Sequence, residues 1–97
     1  MERTEVVVGN IKGEVQLFSD GKKAGKMDIS VVENKLTVYH TEVDEEYAGK
    51  GFAKLLLDQL LSYAVEKDLK IVPLCPYVHA QFKRHPEEYK DVWLKEE

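Results

Sequence analysis

The amino-acid sequence predicts a mixed α/β fold of the α+β class: an antiparallel β-meander, then a long helix, a parallel strand and a C-terminal helix. Three observations carry this expectation. Apolar and polar residues alternate as far as Val43, in segments divided by short turn signals. The period then changes near Gly49 to that of an amphipathic helix. A short apolar run, Leu69 to Leu74, follows, and the intervening helix permits a parallel crossover.

Taken in order, Glu5 to Val8 is a short β-branched segment interrupted by Gly9-Asn10. Glu14 to Phe18 alternates, with Val15 and Leu17 set against Glu14 and Gln16. Ser19-Asp20-Gly21-Lys22 is a turn signal, and Ala24 to Val32 is the next strand, with Met27, Ile29 and Val31 on one face. Glu33-Asn34 turns the chain into Lys35 to Val43, where Leu36, Val38 and His40 are expected on one side and Thr37, Tyr39 and Thr41 on the other. From about Gly49 to Lys67, Phe52, Leu56, Leu57, Leu60, Leu61, Ala64 and Val65 form a wide apolar face. Lys50, Lys54, Asp58, Ser62 and Glu66 form the solvated stripe opposite. Pro73 lacks an N–H and belongs at the end of the fifth strand. Pro76 suits the first turn of a helix over Tyr77 to Arg84 that stops at His85-Pro86. The tail to Glu97 is expected to add a turn around Tyr89, with Val92 and Trp93 packing back.

With 97 residues and no linker, repeat or low-complexity segment, residues 1–97 are expected to form a single domain. The formal charge of −4 argues against nucleic acid as a partner, because phosphate backbones attract basic surfaces. Cys75 is the lone cysteine, which permits no intramolecular disulfide and suits a reducing cytoplasm. His79 and His85 do not form a metal pair, and no metal site is expected. No apolar run has the length of a signal peptide or a membrane span, so a cytoplasmic location is expected.

Leu36 to Ala53 carries most of the functional information. An extended segment ends in Glu42, Asp44, Glu45 and Glu46, passes through Gly49-Lys50-Gly51, and opens directly into the helix at Phe52 and Ala53. The first N–H groups of a helix have no intrahelical partner, and the aligned peptide dipoles favour negative charge there. Glycine lets the backbone approach a ligand closely. Strand, glycine loop and helix together form a candidate pyrophosphate cradle; the bland alternative is a flexible connection. A P-loop is excluded because Lys54 is followed by Leu55, and a dinucleotide fingerprint because lysine stands at position 54. Cys75 sits where a strand gives way to a helix, as a nucleophile of lowered pKa or as a small core residue. His40 is either a general base, able to help activate that thiol, or a hydrogen-bonded core histidine. The acidic cluster is a solvated turn or an attraction for a cationic amine.

The string from His40-Thr41-Glu42-Val43 through Glu45-Glu46-Tyr47 to Gly49-Lys50-Gly51-Phe52-Ala53, followed by the long helix and Pro73-Leu74-Cys75-Pro76-Tyr77, resembles the small GNAT-like acetyltransferase-domain proteins. The likeness runs from the Asp20-Gly21 turn to the His85-Pro86 stop. It implies a GNAT fold and acetyl-CoA (coenzyme A) as ligand. The pyrophosphate-binding stretch of that family falls here on Glu46, Tyr47, Ala48, Gly49, Lys50 and Gly51 and runs on into Phe52 and Ala53. Glu46 departs from the usual Gln or Arg and removes one side-chain donor. The resemblance also sets Glu42 and Val43 beside the pantetheine arm and suggests Cys75 and His40 as an active-site pair. The two helices that follow the first strand in full-length members have no counterpart here, which leaves the acceptor side open to a large partner such as a protein amine. The function implied is acetyl-CoA-dependent N-acetylation of an unidentified amine, by direct attack or through Cys75. The alternative is a non-catalytic CoA-binding or protein-interaction module.

Overall fold

A computed structural model describes residues 1–95; the last two positions of the tail lie outside the described residues. The strands are β1 (Glu2–Val8), β2 (Lys12–Ser19), β3 (Lys22–Val32), β4 (Lys35–Val43) and β5 (Lys70–Pro73). The helices are α1 (Phe52–Glu66), α2 (Pro76–Arg84) and the short α3 (Pro86–Tyr89), with a 3-10 turn at Glu45–Tyr47. The strands form one sheet in the order β1-β2-β3-β4-β5, antiparallel throughout except for the parallel β4–β5 pair. This is the mixed α+β arrangement expected from the alternation and the change of period.

The sheet's inward residues include Val15, Leu17, Met27, Ile29, Leu36 and Val38, all essentially inaccessible to solvent. Leu56, Leu57, Leu60 and Ala64 from α1 and Val78 and Phe82 from α2 complete one continuous core with them. Burial of each large aliphatic side chain contributes roughly 1.5–3 kcal/mol against the entropy of ordering the chain. At one edge the Thr4 hydroxyl donates to Gln59 Oε1 at 2.6 Å, tying α1 across β1. In the middle, a Cβ on Gly25 would lie 2.9 Å from the Glu42 carbonyl oxygen and 3.4 Å from Leu56 Cδ1, so glycine is what lets β4 and α1 approach there. Both long helices therefore cover one side, and the opposite sheet face carries the exposed Val7, Val32 and Tyr39.

Several boundaries differ from the sequence expectation, two of them by three residues. β1 begins at Glu2 rather than Glu5, because β2 runs to Ser19 and pairs with Glu2. α1 begins at Phe52 rather than near Gly49, because Gly49 and Gly51 adopt positive φ and stand outside it. α1 ends in a Schellman arrangement, with Leu69 N bonding Ala64 O at 2.8 Å and Asp68 N bonding Val65 O at 3.3 Å. Asp68 supplies the left-handed residue at φ 57°. Asp68→Gly removes the Cβ penalty of that conformation and is expected to stabilise the fold by ~0.5 kcal/mol, read from chemical denaturation. The turn at Tyr89 is α3, and Trp93 bridges to Ile71 beside β5, which packs the tail back as expected.

Candidate functional site

β4 does not keep its alternation to the end. Ile29 pairs with Val38 but Asp28 pairs with His40, so Tyr39 is an extra residue in β4. Such a bulge bends the strand and shifts which side chains face which way. Tyr39 and His40 are consecutively exposed, while Thr41 and Val43 turn toward the helical side. His40 therefore leaves the Leu36–Val38 side assigned to it from sequence. Its Nε2 lies 3.7 Å from Glu42 Oε2, both side chains being about half exposed. The Tyr39 hydroxyl and Ser30 Oγ are hydrogen-bonded at 2.7 Å on that same outer face.

Thr41 takes the inward place. Its hydroxyl and Cys75 Sγ share a hydrogen bond at 3.1 Å. Cys75 is the N-cap residue of α2, with Pro76 at the first helical position, and is only 2% exposed. Its N–H donates to Val38 O at 2.9 Å. The thiol is thus packed against Thr41, and the structure does not bring it together with His40. The lone sequence signal for Thr41 is its place in the His40–Val43 string, and that string gives no hint of the bulge.

The β4–β5 register ends at Val38 and Pro73, followed by that last bond from Cys75. Beyond it, residues 40–43 pair with β3 alone, so the two parallel strands part and leave the β4 backbone open on its β5 side. This opening leads directly to the glycine loop. Asp44 N bonds Ala24 O at 2.8 Å, anchoring the start of the 3-10 turn, and Tyr47 stacks on Phe52 with ring centroids 5.4 Å apart. Between those two rings lie Ala48, Gly49, Lys50 and Gly51, all exposed. Gly49 and Gly51 have φ of +81° and +76°, and a Cβ on either would meet nothing within 4 Å. Their conformation requires glycine, and the space in front of them is open. Among the described residues, the amides of Gly49, Gly51, Phe52 and Ala53 have no backbone acceptor. The first turn of α1 also contains no acidic side chain. Amides without a backbone acceptor, at and just before the positive end of a helix dipole, are the features that an anion site requires.

The charges around the loop are partly matched. Glu46 Oε1 lies 3.6 Å from Lys22 Nζ, so the carboxylate that stands in the place of a donor has a lysine beside it. Lys54 bonds Asp58 Oδ1 at 2.7 Å, and that bond is the main influence raising the lysine above its ordinary range. Of the predicted cradle, Tyr47 through Ala53 lie together, and Glu42 and Val43 flank the strand opening. His79 and His85 are ring partners of Trp93 and Tyr89 respectively. No helix among the described residues is long and apolar enough to cross a membrane.

Comparison with known proteins bears on this arrangement. The family model described as GCN5-related N-acetyl-transferase matches residues 14–92. Protein NATD1 of Gallus gallus is 43% identical over 47 residues, covering 48% of this chain and 43% of the relative. Protein NATD1 of Danio rerio is 36% identical over 72 residues, covering 74% of this chain and 66% of the relative. The match thus spans less than half the length of the Gallus gallus relative. A GCN5-like protein from Staphylococcus aureus superposes with a TM-score of 0.65 at 26% identity, covering 96% of this chain and 90% of that one. A ribosomal-protein-alanine N-acetyltransferase from Brucella melitensis gives 0.66 at 22% identity, covering 92% and 66%. The PaiA N-acetyltransferase of Thermoplasma acidophilum, solved with coenzyme A, gives 0.55 at 20% identity, covering 61% and 37%. The last two likenesses speak to the fold alone.

Proposed function

This chain belongs to the GCN5-related N-acetyltransferase family, and on that premise we propose that it transfers an acetyl group from acetyl-CoA directly to an amine. One observation carries the reading: the parting of β4 from β5 after Val38 opens straight onto the uncovered amides of the Gly49–Gly51 loop and the start of α1. A pantetheine arm suits the first feature and a pyrophosphate the second. The open space in front of two positive-φ glycines supports the fit, since a side chain on either would intrude on a bound phosphate. Acetyl-CoA, when bound, supplies the activated acyl group.

The chain's own residues then divide the work. The amides of Gly49, Gly51, Phe52 and Ala53 bind the diphosphate, with Tyr47, Ala48 and Lys50 completing the loop. The free edge of residues 40–43, including Glu42 and Val43, holds the pantetheine amides by strand-like bonds. His40 accepts the proton that the acceptor ammonium must lose before its nitrogen can attack. The acceptor approaches from the uncovered sheet face, where a shallow hollow of roughly 890 Å³ is bordered by Val7, Gly13, Glu14, Asp28 and Tyr39. An open approach of this size suits an amine on a large molecule, such as a protein. The near-complete burial of Cys75 and its bond to Thr41 favour direct transfer over an acetyl-Cys75 relay.

The test is thiol release from acetyl-CoA in the presence of polyamines, lysine and peptide amines, with intact-protein mass read alongside. His40→Ala is expected to lower kcat by roughly 10²-fold or more with little change in coenzyme A affinity. Cys75→Ala is expected to keep most of the activity, and the wild-type protein to gain no acetyl group at Cys75. An acetylated wild type, lost together with activity in Cys75→Ala, would move the reading to the covalent route. Binding of coenzyme A with no turnover on any amine would leave a silent binding module.

A further inference from the structure

The opening between β4 and β5 has a closed end, built by residues that come together from both strands. Pro73 has no N–H to give to β4, and Leu74 N bonds Val72 O at 3.1 Å in a tight turn that swings the chain back to β4. Cys75 is held there from both sides: its N–H donates to Val38 O and its carbonyl oxygen accepts from His79 N, each at 2.9 Å. Its Sγ meets the Thr41 hydroxyl at 3.1 Å. On the same face of α2, Val78 and Phe82 follow Cys75, both inaccessible to solvent and in one core with Leu56. Further along the free edge, Val43 Cγ2 and Leu56 Cδ1 both lie within 3.4 Å of where a Cβ on Gly25 would stand. The helical side of residues 41–43 is therefore filled. A pantetheine arm tethered by its diphosphate at the Gly49–Gly51 loop runs back along this edge, about 10 Å from Val43 to His40 at the rise of a strand. Its thioester is thereby delivered to the closed end.

We propose that Thr41 and Cys75 are specificity-determining residues: their contact walls off the closed end on its helical side, so that a two-carbon acyl group fits and a longer chain does not. This rests on the acyl-CoA reading above and deepens it. The thiol acts through its volume, with no bond made or broken at sulfur. A longer chain directed inward must displace close-packed side chains, and Cys75 cannot retreat because its backbone is bonded on both sides. The other way out is the outer face beside the exposed Tyr39 and His40, and a chain folded that way occupies the path of the incoming amine. Thr41 and Cys75 stand 34 positions apart, so no local pattern in the sequence marks their contact.

Titration calorimetry with free coenzyme A, acetyl-CoA and butyryl-CoA tests this without any turnover. The wild-type chain is expected to bind butyryl-CoA about tenfold or more weakly than acetyl-CoA, the effect of methylenes that find no room. Thr41→Ala and Cys75→Ala each remove atoms from the wall and are expected to shrink that ratio to within about threefold. The ratio is taken between two ligands of one protein, so a general loss of affinity or stability cancels from it. Thr41→Val keeps the volume while losing the hydroxyl, and is expected to hold the wild-type ratio. A ratio unchanged in both alanine variants, or lost in Thr41→Val, overturns the proposal. Failure of the wild-type chain to bind free coenzyme A removes the acyl-CoA reading itself. Binding of free coenzyme A with equal affinity for the two thioesters leaves that reading standing and refutes the gate alone.

Discussion

Gly49→Val is expected to weaken coenzyme A binding about 100-fold, the equivalent of roughly two charge-assisted backbone hydrogen bonds. Two causes act together. Gly49 sits at φ +81°, a conformation that β-branched residues scarcely adopt, so the loop must shift and its amides lose their common aim. A side chain there also projects into the open space that a diphosphate needs. Gly49 lies outside α1 in an exposed loop, so the variant is expected to keep cooperative unfolding with only the backbone strain of about 1–2 kcal/mol, a Tm roughly 5–15 °C below the wild type. Affinity for pantetheine, which lacks the diphosphate, is expected to stay within about twofold, since it loses none of those charge-assisted bonds. Calorimetric titration with both ligands checks this. An equal loss for both would mean that the loop is structural and the diphosphate binds elsewhere.

Phe82→Ala is expected to cost about 3–5 kcal/mol, the largest stability loss of any single truncation in the chain. Phe82 is fully buried, its ring stacks on Tyr89 at 4.7 Å between centroids, and it meets Trp93 at 5.5 Å. These contacts clamp α2, α3 and the tail onto β5, and Trp93 in turn bridges to Ile71. For a domain of this length such a loss corresponds to a fall in Tm of roughly 15–30 °C. The same packing sets the point where β5 leaves β4, because Cys75, at the head of α2, makes the last bond to Val38. Thermal unfolding by circular dichroism gives the size of the effect. Where the variant remains folded at low temperature, coenzyme A affinity is expected to fall as well, since the strand opening is no longer held.

Much of this architecture was legible in the residues. Val15 and Leu17, then Met27 and Ile29, then Leu36 and Val38 alternate with polar neighbours and proved to be the inward faces of three adjacent strands. Leu56, Leu57, Leu60 and Ala64 follow the helical period and all point to the sheet. Pro73 ends β5, where a missing N–H costs least. The bulge was not legible: Tyr39-His40-Thr41 continues the alternation without a glycine or proline to mark the extra residue. That single insertion turned His40 outward and brought Thr41 to Cys75. Glu2 entered β1 only because Ser19 was there to pair with it. The lysines at 22 and 26 carry no local pattern at all; their partners, Glu46 and the Glu14–Asp28–Glu42 group, are assembled by strand register and one turn.

We propose above that the loop between β4 and α1 holds the diphosphate of an acyl-CoA for transfer to an amine. Titration calorimetry of the wild-type chain with coenzyme A, set beside pantetheine at the same concentration, tests it most directly. Saturable binding of one coenzyme A per chain, at least tenfold tighter than pantetheine, is expected, as when charged hydrogen bonds to the diphosphate contribute more than about 1.4 kcal/mol. No saturable heat with coenzyme A, or equal affinity for both compounds, would contradict it.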